Sequence, residues 1–95
     1  MVNVNSKFYT GAPVTVVGPA YNRLSSTYRK TPNGITILNE GPHSIYTVPE
    51  SGMSTSSGGM LVGSGQAFHI AVYDPTGIWL TAASGQTGVV RWLGA

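Results

Sequence analysis

The chain has 95 residues, 41% of them hydrophobic and only 8% charged, with 13 glycines, 6 prolines and no cysteine. That length holds one domain with one modest core, and the lack of cysteine excludes a disulfide scaffold, a thiolate nucleophile and a Cys-type zinc site. Five basic residues (Lys7, Arg23, Arg29, Lys30, Arg91) against three acidic ones (Glu40, Glu50, Asp74) give +2, and with only Arg29 and Lys30 adjacent there is no clustered basic face for nucleic acid.

Ordinary domains carry about 25% charged residues, so this surface must be built from Ser, Thr, Asn and Gly. Such a surface is poorly protected against association and suits a protein that lives inside an assembly. No apolar run approaches the ~20 residues of a membrane helix. The polar start Met1-Val2-Asn3-Val4-Asn5 does not read as a signal peptide. Synthesis in the cytoplasm and no membrane partner are therefore expected.

Glycine or proline interrupts almost every stretch of ten residues, which leaves little room for helix. Short runs of period-two alternation remain, separated by turn chemistry. Val2 and Val4 open a strand that extends towards Tyr9, with 1–9 a candidate arm. Gly11-Ala12-Pro13 turns the chain into Val14-Thr15-Val16-Val17, and Gly18-Pro19 closes that run. Tyr21 to Lys30 is rich in Ser and Thr and reads as either an edge strand or a loop. Pro32-Asn33-Gly34 is a tight turn, because Asn-Gly tolerates positive φ. Ile35 to Leu38 follows as a strand, ended by Asn39-Glu40-Gly41-Pro42. Ser44 to Val48 is the next strand, stopped by Pro49, and Glu50 to Gly59 reads as a flexible loop. Leu61-Val62 is short and Ala67 to Tyr73 longer. Asp74-Pro75-Thr76-Gly77 fits a type I turn, from which Ile78 to Ala82 is expected to return antiparallel. Ser84-Gly85-Gln86 turns once more into Val89 to Leu93.

Seven to eight short strands at spacings near ten predict a single all-β domain over 1–95, an antiparallel β-sandwich or jelly-roll-like fold. Phe68, Ile70 and Val72 with Ile78, Leu80 and Ala82 are the predicted core. The opposite face carries His69, Ala71 and Tyr73, then Trp79, Thr81 and Ala83. In the last strand, Val90 and Trp92 oppose Val89, Arg91 and Leu93, so both faces are largely apolar. An antiparallel sheet usually has one plainly polar face; here the second face is expected to be buried against something else.

Catalysis is hard to build from two histidines, three acids and no cysteine. Neither His43 nor His69 lies near a nucleophile-elbow pattern, and His69 reads as a face residue hydrogen-bonded across the sheet. Two histidines 26 positions apart form no metal motif, and Ser56-Ser57-Gly58-Gly59 lacks the helix that a phosphate loop needs. No catalytic residue, metal or cofactor is therefore assigned. Tyr73, Trp79 and Trp92, with Arg91 beside Trp92, are residue types enriched at interface hot spots, and they are the predicted contact residues. Capping of the sandwich core by Trp79 or Trp92, and stacking against sugar rings, are the alternatives.

Residues 44–95, through Ala67-Phe68-His69-Ile70-Ala71-Val72-Tyr73-Asp74-Pro75, Ile78-Trp79-Leu80-Thr81-Ala82-Ala83-Ser84-Gly85 and Val89-Val90-Arg91-Trp92-Leu93, resemble the small cysteine-free β-domains among virion proteins of tailed bacteriophages. The likeness lies with capsid decoration (cement) and head accessory proteins, in composition, strand spacing and a closing strand. It implies an all-β homo-oligomer, often a trimer, without catalytic residues, binding the major capsid protein on the outside of a virion shell. A carbohydrate- or receptor-binding β-module of a phage fibre or tail is the alternative.

Overall fold

The β-branched runs form the strands and the Gly/Pro clusters break them. The computed structural model describes residues 8–54 and 59–95. Its strands are β1 (Tyr9–Thr10), β2 (Val14–Val17), β3 (Asn22–Arg23), β4 (Ile35–Pro42), β5 (Ile45–Val48), β6 (Met60–Val62), β7 (Ala67–Ile70), β8 (Trp79–Thr81) and β9 (Thr87–Gly94). Among the described residues there is no α-helix, only a 3-10 turn at Pro75–Gly77. The fold is all-β. Among the described residues nine strands appear rather than seven or eight, because β1 and β3 are two-residue pieces. β3 also resolves Tyr21 to Lys30: Asn22–Arg23 is an edge strand and the remainder is irregular. Of the candidate arm, residues 1–7 lie outside the described residues, while Tyr9 belongs to β1. Of the Glu50–Gly59 loop, 55–58 lie outside them too.

Two antiparallel sheets result. The first runs β1-β9-β4-β7, with β2 also on β9; the second runs β3-β8-β5-β6. β9 is the long central strand. On one side it pairs with β4, and on the other with β1 (Tyr9↔Gly94) and then β2 (Val14↔Val90). Gly11-Ala12-Pro13 therefore leads the chain into Val14–Val17 as a detour between two strands that pair along one edge of β9. The indole of Trp92 explains it: a Cβ on Gly11 would lie 2.4 Å from Trp92 Nε1.

Two further expectations are corrected. Asn39-Glu40-Gly41-Pro42 does not end β4 but lies within it. The pairing slips between Asn39↔Val90 and Pro42↔Gly88, one extra residue forming a β-bulge. Gly41 takes φ 88° there, a conformation that favours glycine. Nor does β8 return along β7. The Asp74 turn forms as predicted, with Asp74 accepting from Thr76 N at 2.9 Å and from Thr76 Oγ1 at 2.6 Å. It carries the chain across to the other sheet, where β8 pairs with β5 and β3.

The core lies between the sheets, with Ile35, Ile37, Val90 and Trp92 from the first packed against Ile45, Val62 and Leu80 from the second. Ile78, Leu80 and Ala82 are buried as expected. Phe68, Ile70 and Val72 are only half-buried, because β7 is the edge of its sheet. Asn39 also points inward and is fully buried. Its Nδ2 donates to His43 O at 2.9 Å and to Val62 O at 3.0 Å, and its Oδ1 accepts from Gly41 N at 2.8 Å. One side chain thus satisfies the bulge and ties β4 of one sheet to β6 of the other. A buried amide must meet its hydrogen-bonding capacity in this way or cost stability.

Candidate interaction surface

Alternation along β4 and β9 sorts their side chains into two sets. Thr36, Leu38 and Glu40 leave the core side of β4, as Val89, Arg91 and Leu93 leave that of β9. The register sets Leu38 beside Arg91 and Thr36 beside Leu93, which in turn faces Thr10 of β1. Leu38 and Leu93 are therefore diagonal neighbours, close enough for their side chains to form one patch. Thr10, Thr36, Leu38, Arg91 and Leu93 surround a shallow depression of about 270 Å³. Leu38 is 37% exposed and Leu93 44%, with Val17 of β2 exposed in the same sheet. Arg91 Nε donates to Glu40 Oε1 at 2.8 Å. Both partners are solvent-exposed, so the pair adds little to stability, at most about 1 kcal/mol.

The outer face of the second sheet is different, because the chain covers part of it. Thr81 is buried, and its hydroxyl donates to Pro19 O at 3.3 Å and Ala20 O at 3.0 Å. Tyr21 Oη donates to Met53 O at 2.6 Å over the same region. Gly18 permits this close approach, since a Cβ there would meet Ala83 O at 2.0 Å. The second face of the last three strands, expected to be buried against something else, is covered by the chain itself only around Thr81, whereas His69, Ala71, Tyr73, Ala83, Arg91 and Leu93 are exposed; among the described residues, the outer face of the first sheet is open.

The four predicted contact residues do not converge. Tyr73 is exposed beyond β7, where its carbonyl accepts from Thr31 N at 2.8 Å. Trp79 is half-buried on the second sheet, with the Arg23 guanidinium stacked 4.6 Å from the ring centroid. Trp92 is only 5% exposed and belongs to the core. Arg91 alone lies on the open face of the first sheet. Leu38, the residue that completes the patch with Leu93, went unselected because its neighbours are set by the β4–β9 pairing. The face shared by Val89, Arg91 and Leu93 was readable from alternation.

The histidines have structural partners. His69 Nδ1 lies 2.9 Å from Thr36 Oγ1, its cross-strand neighbour, as its mid-strand position suggested. His43 Nδ1 accepts from Thr87 N at 3.2 Å. Among the described residues no three His, Cys, Asp or Glu side chains gather as metal ligands. No helix among them is long and apolar enough to cross a membrane. Comparison with known proteins gave no matching family model, no matching curated protein and no matching solved structure.

Proposed function

We propose that this protein is a non-catalytic structural module that associates with copies of itself and attaches to a virion shell in the manner of a capsid decoration protein. The open outer face of the first sheet carries this reading. It joins two exposed leucines to a cation and an anion, Arg91 and Glu40, in one patch. A surface bearing both signs beside apolar groups is complementary to itself, which is what a contact between identical subunits requires. The low charge of the whole chain favours the same reading, as does the likeness of residues 44–95 to phage virion β-domains. Attachment to a repetitive shell multiplies weak individual contacts into lasting binding.

Pelleting of the fluorescently labelled protein with shells of the phage that encodes it, stripped of their own copies, tests the attachment. The wild type is expected to saturate the shells at a fixed stoichiometry. Leu38→Asp is expected to weaken binding by about tenfold or more, since it places an uncompensated charge in an apolar contact. Equal binding by the variant, or no saturable binding by the wild type, would contradict the proposal.

A further inference from the structure

A second feature lies at the edge of the first sheet opposite β1. β7 ends that sheet and β6 ends the other, so among the described residues each pairs along one side only. Between them opens an apolar groove of about 340 Å³, with buried Val48 and Ile78 at its floor and Met60, Phe68, Ile70 and Val72 along its walls. Met60 shares the inner side of β6 with buried Val62, yet it is 56% exposed. Phe68 and Ile70 pack inward from β7 and are only half-buried. The two sheets leave part of their interior open here.

The rim of the groove also offers backbone hydrogen bonds. Asn39 N donates to Gln66 O at 3.0 Å, and the β4–β7 register continues from there through Ile37↔Phe68 and Ile35↔Ile70. Bonding alternates along an antiparallel pair, so Phe68 and Ile70 turn their N–H and C=O groups to β4. Those of Ala67 and His69 face the open side. A strand added there would set two of its side chains, at i and i+2, beside Phe68 and Ile70 in the groove. Natural sheet edges are usually guarded by charge, proline or a bulge. Neither Ala67–Ile70 nor Met60–Val62 carries a charged residue or proline, and the β4–β7 register has no slip.

The chain itself carries a segment of the required pattern. Val2 and Val4 alternate with Asn3 and Asn5, and Met1 to Ser6 bear no charged side chain. The groove of their own copy is out of reach. Tyr9, Gly94, Ile35 and Ile70 form one row across the sheet, so a strand added beyond β7 lies four strand spacings from β1, about 19 Å. Val4 precedes Tyr9 by five residues, which extend to about 17 Å at most. Val2 and Val4 therefore cannot both lie along β7 of the chain that carries them. A second copy has no such limit.

We propose that this groove takes residues 2–5 of a second copy as an added antiparallel strand, with Asn3 opposite His69 and with Val2 and Val4 packed beside Ile70 and Phe68. The inference rests on the self-association proposed above, because a short strand alone binds weakly and contact through the outer face gathers the copies that exchange it.

Titration of the ¹⁵N-labelled full chain with the synthetic peptide of residues 1–7 reads the groove directly. The chain carries Leu38→Asp and Leu93→Asp, so contact through the outer face takes no part, and failure of that contact is read separately by sedimentation of the wild type. Saturable shifts of the backbone amide signals of Ala67 and His69 are expected at several millimolar peptide. A peptide with Val2→Asp and Val4→Asp should bind about tenfold more weakly or worse. The same two substitutions in the chain itself should leave the dissociation constant of the unmodified peptide unchanged. The dilute wild type should behave as the variant does. No saturable shift at Ala67 and His69, or equal binding by the substituted peptide, would overturn the site. Binding that tightens by about threefold or more when the chain's own valines are replaced would show the segment filling its own groove and overturn the exchange.

Discussion

Asn39→Ala is expected to destabilise the protein by about 4 kcal/mol, the largest effect foreseen for any polar residue of the chain. The substitution strands the carbonyl of Val62 and the N–H of Gly41 in the interior and also removes the bond to the carbonyl of exposed His43, all now made by one buried amide. Each unsatisfied buried group costs about 1–3 kcal/mol. A domain of this size is stable by only about 5–15 kcal/mol, so the loss takes a large share and should lower the melting midpoint by roughly 15–30 °C. Asn39→Asp separates hydrogen bonding from volume. It nearly preserves shape and keeps the acceptor for Gly41 N, but it turns a carboxylate towards two carbonyl oxygens it has lost the protons to bond. Its cost should match or exceed that of alanine. Urea unfolding of the three proteins measures both values, and a loss under about 1 kcal/mol for Asn39→Ala would show that the bulge does not depend on this side chain.

Trp92→Ala is expected to cost about 3–5 kcal/mol, as for large aromatic residues removed from a core. Trp92 faces Ile37 across β4–β9 and packs in the cluster with Val90 and Leu80. Trp79→Ala should cost much less, about 1–2 kcal/mol, because that ring is half-exposed and loses chiefly its stacking with Arg23. The contrast separates two roles that residue type alone leaves mixed. Were Trp92 a contact residue, its removal would change association and leave the unfolding midpoint nearly unmoved. Trp92→Phe refines the test. It removes the orphan indole N–H along with some volume, so the two changes oppose each other and the net loss should be well below that of alanine. Thermal and urea unfolding of the three variants decide the matter.

Much of the fold was legible in the sequence because period-two alternation is a local signal. Val14 to Val17, Ile45 to Val48 and the alternation of Val90 and Trp92 against Arg91 and Leu93 all appear in the structure in their expected form. The Asp74 turn was legible for the same reason, since its bonds join residues two and three positions apart. What that turn connects was not. A turn of given chemistry can close a hairpin or cross between sheets, and here the burial of Ile78 and Leu80 against the opposite layer decides it. The stretch Asn39 to Pro42 shows the same limit. Glycine at positive φ followed by proline suits a strand end as well as a bulge, and the deciding bond reaches Val62, 23 positions away. The interaction surface was half legible. Arg91 and Leu93 share a face by parity, whereas Leu38 joins them only through the β4–β9 register. Residue type favoured Trp92 for a contact role that its inward position denies it.

The function proposed above makes the open face of the first sheet a contact between subunits. Sedimentation velocity from micromolar to near-millimolar concentration tests it most directly, with the wild type set against a double variant, Leu38→Asp with Leu93→Asp. The wild type is expected to associate beyond its 9.9 kDa monomer mass as concentration rises. The double variant should stay monomeric, with a melting midpoint within about 5 °C of the wild type because both side chains point away from the core. A wild type that remains monomeric throughout, or a double variant that associates as strongly, would contradict it.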